Sequence, residues 1–181
     1  GLLTDDEALV AEARDQIAGE IVVTDGEGIQ ADWSFHQHGP QIQFGNYGLA
    51  YAEGISFWLR VLDGTPYMFS DEQCAVIENL MREGICRSIW RGVMDPSFCG
   101  RQVFIDSGPG KALSAAVAAE NIAALKRPGH RVFKRFAEGI LTPDNRSDGL
   151  RGPRYYDRSD CGIYRTGTWY ASIRMHSDRT I

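Results

Sequence analysis

Apolar positions recur with the period of a helix through most of this chain and with the period of a strand near its end. Thr4-Asp5-Asp6-Glu7 has the spacing of a capping box, and Leu9, Ala13 and Ile17 follow it at helical intervals, predicting a helix that ends near Gly19. Residues 21–46 mix glycines, Pro40 and polar and aromatic residues without a period, and read as an ordered loop. From Asn46 to Leu62 the pattern is helical again, with Tyr47, Ala50, Tyr51, Gly54, Ile55, Trp58 and Leu62 as its apolar stripe. Asp63-Gly64-Thr65-Pro66 is a stop signal, and Ser70-Asp71-Glu72-Gln73 is a second capping box opening a helix through Ala75, Ile77, Leu80, Met81 and Ile85. Residues 91–109 read as a loop, Lys111–Leu125 as an alanine-rich helix, and about 130–140 as a short helix. Helices separated by long loops predict an array of stacked helical hairpins.

The texture changes at residues 142–154, where Pro143, Asn145, Gly149, Gly152 and Pro153 suggest a domain boundary. Tyr155-Tyr156, Gly162–Arg165 and Thr168–Met175 are aromatic and β-branched with near alternation, as in strands, and Gly167 falls at a hairpin turn. The fold class is therefore α+β. Two or three strands make no stable sheet alone, so the β part is expected to continue or to pair with something outside this chain. No internal repeat is visible.

Composition narrows the class. The 181 residues suit one ordinary domain, or one and a part. With 43% hydrophobic and 24% charged residues, the chain is neither disordered nor collagen-like, and no run of eighteen apolar residues offers a membrane-spanning helix. It carries neither an initiator Met nor a signal peptide, and so reads as an excised piece or a mature product. The four cysteines form no CxxC, and Cys74 and Cys86 are too far apart along one helix for a disulfide, so free buried thiols are expected.

The net charge of −5 conceals a split. Residues 1–80 hold two basic residues, Arg14 and Arg60, against fourteen acidic ones (−12), whereas residues 81–181 hold seventeen basic and ten acidic (+7). Sixteen of the nineteen basic residues are arginines, whose planar fork suits carboxylate, sulfate or phosphate. Such asymmetry implies that the second half meets an anion, or the first half, or both. The Arg-rich half contains no recognition module for nucleic acid.

The densest candidate chemistry is Asp32-Trp33-Ser34-Phe35-His36-Gln37-His38-Gly39-Pro40, followed by Gly45-Asn46-Tyr47-Gly48. Three readings compete. His36 and His38 on an extended segment would point the same way and could hold a metal, although His130 and His176 lack the motif context of further ligands. A histidine beside glycine and proline can simply bond the backbone. Or His38 and Tyr47, nine residues apart, meet as an acid–base pair where the chain enters the helix.

The segment Asp32–Gly48 resembles the catalytic segment of polysaccharide lyase family eight, which contains chondroitin AC, hyaluronate and xanthan lyases; its wording is most similar to the chondroitin AC branch. The resemblance continues at Gly100-Arg101, at Ser159-Asp160 and over Ser172–Thr180, in the family's order. It implies the end of an incomplete α/α toroid over 1–142, a linker over 143–154, and the start of an antiparallel β-sandwich domain over 155–181. It places the family's catalytic histidine, tyrosine and arginine on His38, Tyr47 and Arg101. The implied reaction is β-elimination on a uronic-acid polysaccharide, with no cofactor, in an extracellular or periplasmic setting. The implied partners are an acidic polysaccharide and the remainder of the polypeptide, with no nucleic acid and no membrane. A proton alpha to a carboxylate is very weakly acidic, so the site must neutralise charge, supply a base and protonate the leaving oxygen. A phenol ionises only near about pH 10, so a cation such as Arg101 is needed beside Tyr47.

Two departures bear on this. Where the family commonly has a second arginine four residues after the first, this chain has Ile105. The family's carboxylate-neutralising asparagine and a site glutamate are expected before residue 1 and beyond Ile181, which makes the chain the middle of a lyase. Two rival readings stand beside it: non-catalytic binding of acidic glycan, and a metal-dependent hydrolase using His36 and His38.

Overall fold

The computed structural model describes residues 5–142, 149–178 and 180. Helix α1 spans Glu7–Gly19. Its N-cap is Asp6, whose carboxylate accepts from Leu9 N at 3.0 Å, so the helix starts on the third residue of the expected capping box; Thr4 lies outside the described residues. Helix α2 spans Leu49–Leu62 and α3 spans Asp71–Asn79. The Ser70–Gln73 capping box forms as expected, and Gln73 Nε2 also donates to Ala18 O at 2.8 Å, tying the start of α3 to the end of α1. Beyond Asn79 the helix continues in altered form, as a π-turn over Leu80–Gly84 and a 3₁₀ turn over Ile85–Ser88.

Helix α4 spans Ser107–Ala124, beginning four residues before the expected Lys111. Pro109 lies in its first turn, where a missing N–H costs nothing. It is the central helix, packed on both α2 and α5 (His130–Leu141). Alanines 112, 115, 116, 118 and 119 are all buried, and their small side chains let a helix approach on either side. On α2 the buried face is Leu49, Ala52, Ile55, Ser56 and Leu59, whereas Ala50, Gly54 and Trp58 of the expected stripe face outward. Both faces of α2 are apolar, so periodicity alone set the phase wrongly.

The segments expected to be loops hold short ladders. Strands β1 (Gly28–Ile29) and β2 (Phe35–His36) pair antiparallel, as do β3 (Ile89–Trp90) and β4 (Val93–Met94). The β3–β4 turn has Arg91 and Gly92 both at positive φ, the geometry of a tight hairpin. Strands β5 (Gly152–Tyr156), β6 (Cys161–Arg165) and β7 (Tyr170–Arg174) form one antiparallel meander. β5 begins at Gly152, within the segment expected to be a linker, of which residues 143–148 lie outside the described residues.

This sheet finds its partner in the helical part. Phe44, Phe98 and Tyr156, all fully buried, meet with ring centroids 5.4–6.2 Å apart. Tyr156 Oη donates to Glu83 O at 2.8 Å, Arg165 Nη1 to Cys86 O at 2.8 Å, and Tyr170 Oη to Asp95 Oδ2 at 2.7 Å. All four cysteines are buried thiols. Burial pushes the Cys161 thiol up to about 11, despite the nearby Arg174, which removes it from nucleophilic chemistry at neutral pH.

Tyr156→Ala deletes the ring that joins sheet to helices and is expected to destabilise the fold by about 3–5 kcal/mol. Tyr156→Phe, losing the hydroxyl's bonds to Glu83 O and, at 3.4 Å, Gly84 O, is expected to cost about 1 kcal/mol. Denaturant unfolding of the two variants measures both values.

Candidate active site

The segment between α1 and α2 folds back on itself because its polar residues are used internally. Asp32 is buried; its Oδ1 accepts from Ser34 N at 2.9 Å and Ser34 Oγ at 2.6 Å, and its Oδ2 accepts from Arg158 N at 2.8 Å. Arg154 Nη2 donates to Asp32 O at 2.5 Å. Four residues on, the buried His36 Nε2 lies 2.8 Å from Ser159 Oγ. Burial is the main force that lowers the His36 pKa; Asp32 opposes it and Arg158 adds to it. The imidazole is therefore held neutral, as a bridge to the β5–β6 turn.

After His36 the strand ends, and the chain reverses. His38 has φ 61° and Gly39 has φ 80°. A left-handed backbone at a non-glycine residue costs on the order of 1 kcal/mol. Glu27 holds it there: its carboxylate accepts from Gln37 Nε2 and, at 3.2 Å, from Gly39 N, gripping the residues on either side of His38. The reversal also separates the two histidines. His36 turns inward to Ser159, and His38 turns to Tyr47, so the extended geometry that would aim both at one metal is broken. Among the described residues no three His, Cys, Asp or Glu side chains converge as a metal site.

Tyr47 lies in a π-turn, Phe44–Gly48, that leads into α2. Such a turn re-aims one side chain out of the regular helical sequence and is frequent at functional sites. Here it brings Tyr47 Oη to 2.9 Å from His38 Nε2, with the rings edge to face. The turn is pinned from below: Lys111 Nζ, buried at the start of α4, donates to Gly45 O and, at 2.8 Å, to Gln102 Oε1. Lys111 thereby ties the Tyr47 turn to the segment that carries Arg101.

His38 and Tyr47 open onto a cleft of about 420 Å³ that is also lined by Gln43, Asn46, Arg101 and Arg174. The structure thus brings His38, Tyr47 and Arg101 to one cleft. Gly100 makes the arrangement feasible. It has φ 57°, and a Cβ there would fall within the Gln43 carboxamide, 2.8 Å from its Cδ. Ile105 is 89% exposed and does not line this cleft. Sequence reasoning missed Glu27, Gln43 and Arg174. Glu27 lies in a segment without periodicity. Gln43 follows the quoted histidines too closely to stand out. Arg174 is 73 residues from Arg101, and only the sheet's docking brings the two together.

The profile of polysaccharide lyase family 8, N-terminal alpha-helical domain, matches residues 1–142. A chondroitinase-AC of Pedobacter heparinus is 35% identical over 103 residues, covering 56% of this chain and 15% of that protein. A hyaluronate lyase of Thermasporomyces composti is 27% identical over 104 residues, covering 57% of this chain and 13% of that protein. The chain therefore spans only a small part of these relatives' length. Among solved structures, a Paenibacillus xanthan lyase superposes with a TM-score of 0.86 at 19% identity, over 99% of this chain and 20% of that one. A chondroitinase AC lyase solved in oligosaccharide complexes gives 0.84 at 22% identity, over 99% and 27%. A Streptomyces coelicolor A3 chondroitin AC lyase in complex with chondroitin sulphate gives 0.78 at 19%, over 99% and 30%. At these identities the structural likeness is one of fold.

The buried His36 sets a pH dependence of stability. Its folded pKa lies below the ordinary 6.5, so the unfolded chain takes up the proton first as the pH falls. Its contribution is full above 6.5 and declines as the pH drops through 6.5 toward the lowered folded value. Thermal unfolding between neutral and mildly acidic pH is expected to show this decline, and His36→Gln is expected to flatten it.

Proposed function

The chain belongs to polysaccharide lyase family 8, and on that footing we propose that the complete protein cleaves a uronic-acid-containing acidic polysaccharide, of the chondroitin or hyaluronan kind, by β-elimination. The observation that carries this reading is the 2.9 Å contact of His38 Nε2 with Tyr47 Oη, opening on a cleft that also holds Arg101 and that, among the described residues, is lined by no carboxylate. The names of the curated relatives, a chondroitinase-AC and a hyaluronate lyase, support the substrate class.

In this reading Tyr47, having passed its hydroxyl proton to His38 or solvent, takes the proton from C5 of the uronate. The C–H electron pair moves into an enolate of the carboxylate. It then forms the C4–C5 double bond as the C4–O bond breaks, and the leaving oxygen takes a proton from Tyr47. Arg101, which lines the same cleft, supplies a positive charge to the anions that form as the proton leaves C5. His38 exchanges the proton with Tyr47, and its position relative to Tyr47 is set by the Glu27 grip and the π-turn. Proton transfer by positioned groups of this kind contributes about 10²–10⁴-fold to rate.

The helical part, residues 1–142, is then the end of an incomplete α/α toroid. The β5–β7 meander, which starts at Gly152, opens an antiparallel β-sandwich domain. The enzyme works outside the cytoplasm, in the extracellular or periplasmic space, where such polymers occur.

The test is the ultraviolet absorbance of unsaturated uronate released from chondroitin, chondroitin sulfate or hyaluronan by the complete protein. Tyr47→Phe is expected to reduce kcat by at least about 10³-fold with the fold intact, and an unchanged rate would sink the assignment of the base. Glu27→Ala, which releases the grip on His38, is expected to lower kcat by about 10-fold or more with KM little changed. Saturable binding of the polymer with no absorbance gain on any of the three would favour a glycan-binding module instead.

A further inference from the structure

Of the two arginines in the cleft, one comes from each side of the junction between helices and sheet. Arg101 lies in the segment before α4, and Arg174 is the last residue of β7. Period-two alternation puts Arg174 on the same face of β7 as Tyr170. That face is turned to the helical part: Tyr170 Oη donates to Asp95 Oδ2 at 2.7 Å, and Arg174 Nη1 donates to Ser97 O at 3.1 Å. Burial and the Asp95 carboxylate raise the Tyr170 pKa well beyond the usual phenol range, so the hydroxyl keeps the proton that it donates to Asp95. The guanidinium of Arg174 is thereby stationed over the Asp95–Gly100 segment, at the edge of the cleft that holds His38 and Tyr47.

Its charge is unmatched there. Among the described residues neither Arg101 nor Arg174 makes an ion pair, although Arg87, Arg127 and Arg158 all do. Among the described residues no acidic side chain lines the cleft, in a chain whose net charge is −5. The bond to Ser97 O uses one of the five N–H donors of the guanidinium and orients the planar fork. A fixed fork without a counter-ion is the arrangement that binds an oxyanion through two hydrogen bonds.

Resting on the reading of this cleft as the site of an acidic polysaccharide, we propose that Arg174 is a substrate-binding residue. It takes a second oxyanion of the polymer, a sulfate ester or a uronate carboxylate other than the one at the reacting carbon. Arg101 serves the reacting centre, and Arg174 fixes the neighbouring sugar. The sheet is then part of the substrate site, and the polymer is gripped across the junction rather than by the helical part alone.

The experiment uses the complete protein and its Arg174→Gln and Arg174→Lys variants. Affinity is measured by titration, and kcat and KM by product absorbance, on chondroitin sulfate and on the same polymer chemically desulfated. Arg174→Gln is expected to weaken affinity and raise KM about tenfold, the effect of losing a charge-assisted pair of hydrogen bonds, with kcat within about threefold. Arg174→Lys keeps the charge and a donor for Ser97 O but not the fork, and is expected to recover part of the loss. A penalty confined to the sulfated polymer identifies a sulfate ester as the partner; an equal penalty on both identifies a carboxylate. Wild-type affinity and KM in Arg174→Gln on both polymers overturn the proposal, as does a loss confined to kcat. Where the glutamine variant fails to fold, the lysine variant decides, since it retains the structural bond: a several-fold loss of affinity supports the role, and wild-type affinity overturns it. The titration separates this inference from the reaction. Binding that depends on Arg174 without any product would leave the inference standing and remove the lyase reading, whereas turnover indifferent to Arg174 would do the reverse. No binding to either polymer by the unaltered protein would overturn both.

Discussion

Three aromatic rings carry the rest of this structure. Phe44, Phe98 and Tyr156 come from segments far apart in the chain and are fully buried against one another. Each ring anchors one wall of the cleft. Phe44 opens the π-turn that presents Tyr47, and Phe98 immediately precedes the Cys99-Gly100-Arg101 segment. Tyr156 ends the first strand of the sheet whose third strand carries Arg174. Aromatic pairs gain from edge-to-face and offset contact beyond the area they bury. The polar ties around them, Asp32 to Arg158 N and His36 to Ser159, lie inside the same junction, where breaking one partner strands the other in a poor solvent. Apolar packing supplies the attraction, and the buried polar bonds select one docking geometry from the many that packing alone would allow.

Much of this was legible beforehand, for identifiable reasons. Of the helix signals that reside in one short stretch, the Ser70–Gln73 box holds, whereas the Thr4–Glu7 stretch is capped at Asp6 instead. The alanine-rich run is helical because nothing in it competes with the backbone. The strands after residue 150 were evident from aromatic and β-branched alternation. The failures share one cause, which is that tertiary contact decided what local pattern left open. The phase of α2 was misjudged because apolar residues cover both its faces, and only packing on α4 selects one. Two-residue ladders such as β1–β2 are too short to leave a period.

The site itself divides along the same line. His38 and Tyr47 are close in sequence, and their meeting could be read from a spacing. The left-handed turn at His38 could not, since nothing but the Glu27 carboxylate twelve residues before Gly39 marks it. Arg174 required the whole sheet to be docked before its position meant anything. The split in charge is likewise resolved by the fold. Part of the arginine excess neutralises the acidic first half, as in Arg127 with Asp71 and Glu78 and Arg158 with Asp25. The remainder includes the two cations of the cleft.

The π-turn at Phe44–Gly48 also bears on how such a protein can vary. Each residue added to or removed from a helix turns everything on one side of it by about 100° relative to the other. Tyr47 is joined to His38 through eight intervening residues and to the rigid body through α2, so both ends of that short arc are fixed. An insertion or deletion within the turn, from Phe44 to Asn46, would rotate the tyrosine off the histidine even if every side chain were kept. Along a lineage this stretch can therefore exchange residues but not length. Gaps in related chains will gather elsewhere, in the loops that close no ring.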